Sequence, residues 1–135
     1  MPRVIFAVTC DDVREEVSNK VSLMGIFDRF IVGDFRNPLP SFYLFAKIEF
    51  EEEGDYPMLI QMRTIEGEVV FQIQGAMHVD GVPEAAGLPR GNFKLRFDNL
   101  RLPRHGLYEL VVSHNNQNLI SLPISVQVRP ARFVQ

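Results

Sequence analysis

Cysteine occurs once in these 135 residues, at Cys10, and tryptophan does not occur at all. A single thiol excludes an intrachain disulfide and a cysteine-rich zinc site. Carbohydrate-binding sandwiches usually present flat aromatic platforms, often tryptophan. Here the eleven Phe sit mostly in core-phased positions, so that class is set aside. Long hydrophobic runs are also missing, since none approaches the roughly 18–20 apolar residues of a membrane helix. The start, "MPRVIFAVTCDD", has an apolar run of only about seven residues, followed by aspartates and no small-residue cleavage site, which is not a signal peptide. The expected compartment is the cytoplasm, without a membrane partner. Surplus positive charge is absent too. The net charge is −3, against the excess of cations that a general nucleic-acid binder needs.

The usual catalytic constellations are absent as well. His78, His105 and His114 are the only histidines, with no i,i+2 or i,i+4 pair and no HExxH. His105 and His114 lie at opposite ends of one expected strand, about 30 Å apart at roughly 3.3 Å per residue, too far to share a metal. No GxSxG surrounds Ser18, Ser22, Ser41, Ser113, Ser121 or Ser125. Ser113 and His114 are neighbours, so on a strand they point to opposite faces. "GVPEAAGLPRG" lacks the lysine and the following helix of a phosphate loop. No catalytic residue and no cofactor are therefore expected, and the chain does not read as an enzyme. Cys10 reads as a small buried hydrophobe. Asp11 and Asp12 follow it directly, and their charges would raise a thiol pKa.

What is present is apolar and alternating. Hydrophobic residues make up 46% and charged residues 23%, which fits one globular domain over residues 1–135. The dominant period is two. Phe93, Leu95 and Phe97 alternate with Lys94, Arg96 and Asp98. Phe42, Leu44, Ala46, Ile48 and Phe50 share a face. Tyr108, Leu110 and Val112 do so too, as do Ile120, Leu122, Ile124, Val126 and Val128. Pro123 lacks an amide hydrogen, so the last strand is expected at an edge or to carry a bulge. Glu66-Gly67 suits a two-residue hairpin, and the asparagines of "SHNNQN" suit another. "EEEGDYP", "DGVPEAAGLPRG" and "RNPLP" read as a charged turn, an exposed loop and a stiff connector. In "DDVREEVSNKVSLMGIFDRF", Asp12 could cap a short helix before Glu15. The same letters could be two strands joined at Ser18-Asn19, and the β-branched and aromatic residues that follow favour strands. Gly25 inside that run marks a bulge or a close backbone approach.

About eight strands result, near 3–10, 20–31, 42–50, 57–64, 68–75, 92–98, 106–113 and 119–129. Their spacing predicts an all-β antiparallel sandwich or barrel. The tail "RPARFVQ" is expected to fray after Pro130, with Phe133 able to dock on a partner. The stretch "LPRHGLYELVV" (residues 102–112) narrows the choice of fold. Leu100, Pro103, Gly106 and Tyr108 match the form LxxPxxGxY of the tyrosine corner of immunoglobulin-like sandwiches. Proline ends one run, glycine lets the chain cross between sheets, and the tyrosine hydroxyl finds a backbone partner. These three residues read as structural.

"CDDVREEVSNKVSLMGIFDRF", "PLPSFYLFAKIEF" and "FDNLRLPRHGLYELVV" together resemble a bacterial family of small stand-alone domains of unknown function. In that family an N-terminal strand ends in acidic residues, a "SLxGIFD" segment follows, and the C-terminal half carries the proline–glycine–tyrosine corner. The resemblance spans nearly the whole chain. It implies a β-sandwich and adds no activity, because its motifs are packing motifs.

Two acidic clusters remain: Asp11, Asp12, Glu15 and Glu16, and Glu51, Glu52, Glu53 and Asp55. Loop carboxylates on a sandwich can bind calcium when two or three loops converge. Asp11, Asp12, Glu51 and Glu53 are the candidate ligands, and the competing reading is that acidic turns guard strand ends. The leading expectation is a non-catalytic protein-interaction or assembly module, because long strands offer edges to a partner strand. "SLMGIF" is apolar on both sides of its alternation, which makes a homodimer plausible. A calcium- or small-ligand-binding sandwich is the alternative.

Overall fold

The computed structural model describes residues 2–34 and 36–129. Nine strands form two sheets: β1 (Arg3–Glu15), β2 (Val21–Phe27), β3 (Arg29–Val32), β4 (Phe42–Glu49), β5 (Gly54–Thr64), β6 (Val69–Val79), β7 (Arg90–Phe97), β8 (Gly106–His114) and β9 (Gln117–Val128). One sheet has the order β2-β1-β4-β7, and the other β3-β9-β8-β5-β6. The architecture is an immunoglobulin-like β-sandwich. The tail after Pro130, including Phe133, lies outside the described residues.

The face chosen by the period of two is the buried one. Phe42, Leu44, Ala46, Ile48 and Phe50 are completely buried, and Tyr108, Leu110 and Val112 face them from the second sheet. Phe42 stacks on Phe97 at 4.8 Å and meets Phe30 edge-on at 5.1 Å. Such pairs add roughly 0.5–1.5 kcal/mol each beyond their buried area.

The strand expected at 20–31 is two strands in two different sheets. Phe27 pairs with Thr9 in the first sheet, whereas Arg29 pairs with Ser125 in the second. The chain crosses at Asp28, whose carbonyl accepts the Ser125 amide at 3.0 Å. Side chains three apart on one strand face opposite ways. The crossing lets both Phe27 and Phe30 enter the core, with ring centroids 4.6 Å apart. It also makes β3 parallel to β9, so the sandwich is not wholly antiparallel.

Turn chemistry accounts for the connections. Asn115 and Asn116 both have positive φ (49° and 64°), as a two-residue hairpin with the strands' own twist requires. The β5–β6 turn has three residues, 65–67, rather than the expected two. Thr64 and Glu68 close it, and Gly67 takes φ +97°. Strands, not a helix, flank Ser18, which has φ 71°. Pro123 sits where β9 has β8 on one side and no β3 on the other, because β3 pairing begins at Ser125. The missing amide therefore costs no ladder bond.

β1 runs five residues beyond its expected end, so Asp11 and Asp12 lie in a strand, not a loop. Gly25 takes φ +68°, and a Cβ there would stand 2.2 Å from the Asp11 carboxylate oxygen. The close approach expected at this glycine is present, while the β1–β2 register continues unbroken on both sides. Past this point the hairpin folds over the outer face of its own sheet. Val13, Val21 and Leu23 pack with Cys10, Phe45, Val8 and Tyr43 in a second cluster. Glu15 Oε1 accepts from Lys94 Nζ on β7 at 3.3 Å. Cys10 and Phe45 are buried under this cover.

Candidate interaction surface

The two acidic clusters are not brought together. β1 and β4 pair so that Arg3 faces Glu49 and Cys10 faces Tyr43. Asp11 and Asp12 thus stand beyond the start of β4, while Glu51 and Glu53 stand beyond its end. Eight strand residues separate them, about 25 Å. Each carboxylate with a described contact is spent locally. Asp11 lies over Gly25, Asp12 accepts the Val13 amide at 2.9 Å, and Glu53 accepts the Gly81 amide at 3.1 Å. Among the described residues no three His, Cys, Asp or Glu side chains are grouped to hold a metal. The convergence that the calcium alternative requires is not formed.

Tyr108 is 2% exposed, and its hydroxyl donates to the Arg104 carbonyl at 2.5 Å. Pro103 ends the preceding segment and Gly106 takes φ +144°, which only glycine adopts freely. The tyrosine is thereby tied across its own corner. Cys10 is fully buried. Burial pushes its thiol pKa up, and the charge of Asp11 adds to the rise. His114 donates through Nδ1 to the Pro57 carbonyl at 2.7 Å, at the edge of the ladder where Pro57 has no amide to offer.

One polar group was not legible as a unit in the sequence. His78 lies between Asp55, 2.7 Å from Nδ1, and Asp80, 3.0 Å from Nε2. These bonds, that to Asp55 foremost, raise the imidazole pKa above its ordinary value. The 78–80 spacing puts His78 and Asp80 on one side of the chain. Asp55 arrives only through the pairing of β5 with β6, where it faces His78. All three side chains are well exposed.

The two lateral sides of the sandwich differ. On one lateral side the chain itself joins the sheets: β2 and β3 are continuous through Asp28, and Thr9 Oγ1 donates to the Phe27 carbonyl at 2.5 Å. On the other side β6 and β7 are the last strands of their sheets, and among the described residues no strand passes between them. Two depressions of about 410 and 370 Å³ lie there and share Ile73 and Leu95. They form one cleft running from Val70 and Arg101 to His78 and Asn92. Ile73 pairs with buried Ile60 and points inward, yet it is 41% exposed. Gly75, two residues on, offers no side chain, and a Cβ there would meet nothing within 4 Å.

The four sheet edges differ in their protection. β7 carries Arg90, Lys94 and Arg96, β3 has only four residues, and β2 is distorted at Gly25. β6 is bulged only at its start, between Val69 and Phe71. From Phe71 to Met77 it has no charge and no proline. Natural edge strands are normally blunted by such devices, and a long bare edge is a template for another strand.

A model of a family of unknown function, DUF6941, matches residues 5–127. No curated protein matches by sequence. Among solved structures, the C-terminal domain of wzt is similar with a TM-score of 0.52 at 12% identity, over 97% of this chain and 75% of that one. An immunoglobulin-like protein from Pseudomonas aeruginosa is similar with a TM-score of 0.49 at 15% identity, over 94% of this chain and 97% of that one. A β-glucosidase from Listeria innocua is similar with a TM-score of 0.46 at 9% identity, over 75% of this chain and 15% of the enzyme. Likenesses at such identities concern the fold alone. No helix among the described residues is long and apolar enough to cross a membrane.

Proposed function

We propose that this chain, which belongs to the DUF6941 family of unknown function, is a non-catalytic interaction module of the bacterial cytoplasm that takes a strand from a protein partner. The observation that carries the reading is the bare edge of β6 beside a cleft of mixed polar and apolar lining. Strand addition draws affinity from main-chain hydrogen bonds along an unpaired edge, and specificity from pockets for alternate side chains. β6 supplies the first. Ile73, Leu95 and the gap at Gly75 supply the second. The chemistry-bearing residues fit a binding role better than a catalytic one. Tyr108, Cys10 and Thr9 are bonded or buried within the scaffold.

The test is affinity capture from the native cell with quantitative mass spectrometry, using the wild type and three variants. Ile73→Lys and Gly75→Lys charge the β6 edge. At the second position a Cβ meets nothing within 4 Å. Met24→Lys charges an equally exposed apolar position on β2. A partner that co-purifies with the wild type and with Met24→Lys, and is lost from both β6 variants, is the expected result. Retention of every partner by the β6 variants would remove the proposal.

A further inference from the structure

We infer that the strand added to β6 is the β6 of a second copy, paired antiparallel about a two-fold axis through Ile73. This inference rests on the interaction reading above and names the partner. Isologous pairing requires a surface that complements itself. In a strand that means a register in which residue i meets residue j and j meets i. The period of two first removes half of the registers. Pairing Ile73 with Gln72 or Gln74 of the other copy would turn that copy's core face outward. The registers left are those centred on a residue.

Centring on Ile73 matches β6 to itself at each step. Phe71 meets Gly75, the bulkiest inward residue of the segment against the missing side chain. Ile73 meets Ile73. On the outer face Gln72 meets Gln74, amide against amide. Directly opposed residues on one face have Cβ atoms about 4.5–5.5 Å apart. The Phe71 ring, now half-buried against Phe97 with centroids 5.8 Å apart, would line the space where a Cβ on Gly75 meets nothing. Centring on Gln74 would instead set Ile73 against Gly75 and Phe71 against Met77. Centring on Gln72 would set Phe71 against Ile73 and leave Gly75 opposite Val69, beside the bulge. Only the Ile73 register fills the vacancy with the largest ring.

Charge does not oppose the pairing. No ionisable group lies between Phe71 and Met77. The cations of β7 nearest the seam already have counter-charges, Lys94 in Glu15 at 3.3 Å and Arg96 in Asp98 at 2.9 Å. The five-stranded sheets of the two copies join into one continuous sheet, and the two exposed Ile73 side chains are covered by each other.

Disulfide trapping tests the register. Ile73→Cys introduces the only accessible thiol, because Cys10 is fully buried. In the two-fold register the substituted positions of the two copies lie within the roughly 4.4–6.8 Å Cα separation of a disulfide. Mild oxidation should then give covalent dimer much faster than Ile31→Cys, an exposed control on β3. Gln72→Cys and Gln74→Cys should each stay uncrosslinked alone and cross-link when mixed. Sedimentation of the wild type at up to about 1 mM should show reversible dimer, lost in Ile73→Lys at unchanged circular dichroism. A wild type that stays monomeric throughout overturns the inference. So does cross-linking of Ile73→Cys no faster than Ile31→Cys. If partner capture in the cell still depends on Ile73 in that event, the edge serves another protein and the interaction reading stands. If capture is also indifferent to Ile73, both fall.

Discussion

Removing one oxygen from Tyr108 isolates what the corner contributes. The ring of Tyr108→Phe keeps its packing, so no cavity forms. What is lost is the hydroxyl's bond to the Arg104 carbonyl, 2.5 Å long at a site where the tyrosine is 2% exposed. A net intramolecular hydrogen bond contributes about 1 kcal/mol, and a partner left unsatisfied adds to the loss. Arg104 itself is exposed, so water can reach its carbonyl from one side and limits that addition. The expected destabilisation is about 1–1.5 kcal/mol. With a urea m-value of about 2 kcal/mol/M, the midpoint should fall by roughly 0.5–0.8 M at unchanged slope. Circular dichroism is the signal, since the chain has no tryptophan. Tyr56→Phe provides the comparison. Its hydroxyl donates to the Glu52 carbonyl at 2.7 Å in an exposed setting, where water replaces the bond and the loss should stay below about 0.5 kcal/mol. A Tyr108→Phe midpoint shift no larger than that of Tyr56→Phe would refute the corner's structural role.

Gly25→Ala forces a side chain into φ +68° with its Cβ 2.2 Å from the Asp11 carboxylate oxygen, and should cost about 1–3 kcal/mol by urea titration. Adding Asp11→Ala should recover the steric share and leave the backbone share. Cys10 should resist thiol reagents at neutral pH in the native state, and Phe45→Ala, at about 3–5 kcal/mol, should raise its labelling rate by loosening the second cluster. Labelling of the wild type at the rate of a free thiol would contradict the burial. His78 should titrate above 6.5, because Asp55 and Asp80 favour its protonated form. Its contribution to stability is then full below 6.5 and lost as pH rises through the folded-state value. An NMR titration midpoint at or below 6.5, or one unmoved by Asp55→Asn, would count against that pairing.

The core was legible in the sequence because strand side chains alternate strictly and burial punishes a one-residue slip. Phe42 through Phe50 and Tyr108 through Val112 needed nothing more. The corner was legible because proline, glycine and tyrosine each have a fixed conformational task at fixed offsets. The crossing at Asp28 was not. A strand that changes sheets keeps its composition, and only the shift in phase between Phe27 and Phe30 records the change. The β1–β2 cover over Cys10 was hidden for a similar reason. Val13, Val21 and Leu23 alternate like any half-buried strand, and nothing local says that the second layer is the chain's own outer face. The pairing of Asp55 with His78 spans 23 residues and exists only through the β5–β6 register.

The open side follows from the same topology. A sandwich closes laterally where one strand passes from sheet to sheet, and this chain spends its crossing on the β2–β3 side. The β6–β7 side is left with a loop at one end and a cleft between. Closing it from within would take a bulky residue at position 75, where a Cβ has free space on every side. Glycine is a poor strand residue, costing about 0.5–1 kcal/mol relative to alanine. Open space at that cost, on a regular edge stretch without charge or proline, is what the proposed strand addition at β6 rests on. Gly75→Val is then the informative substitution. It should stabilise the isolated domain by filling space and favouring the strand, and it should weaken whatever pairs with β6. A variant that gains stability and loses association separates the fold's needs from the function's. One that gains stability and keeps association would place the binding surface elsewhere.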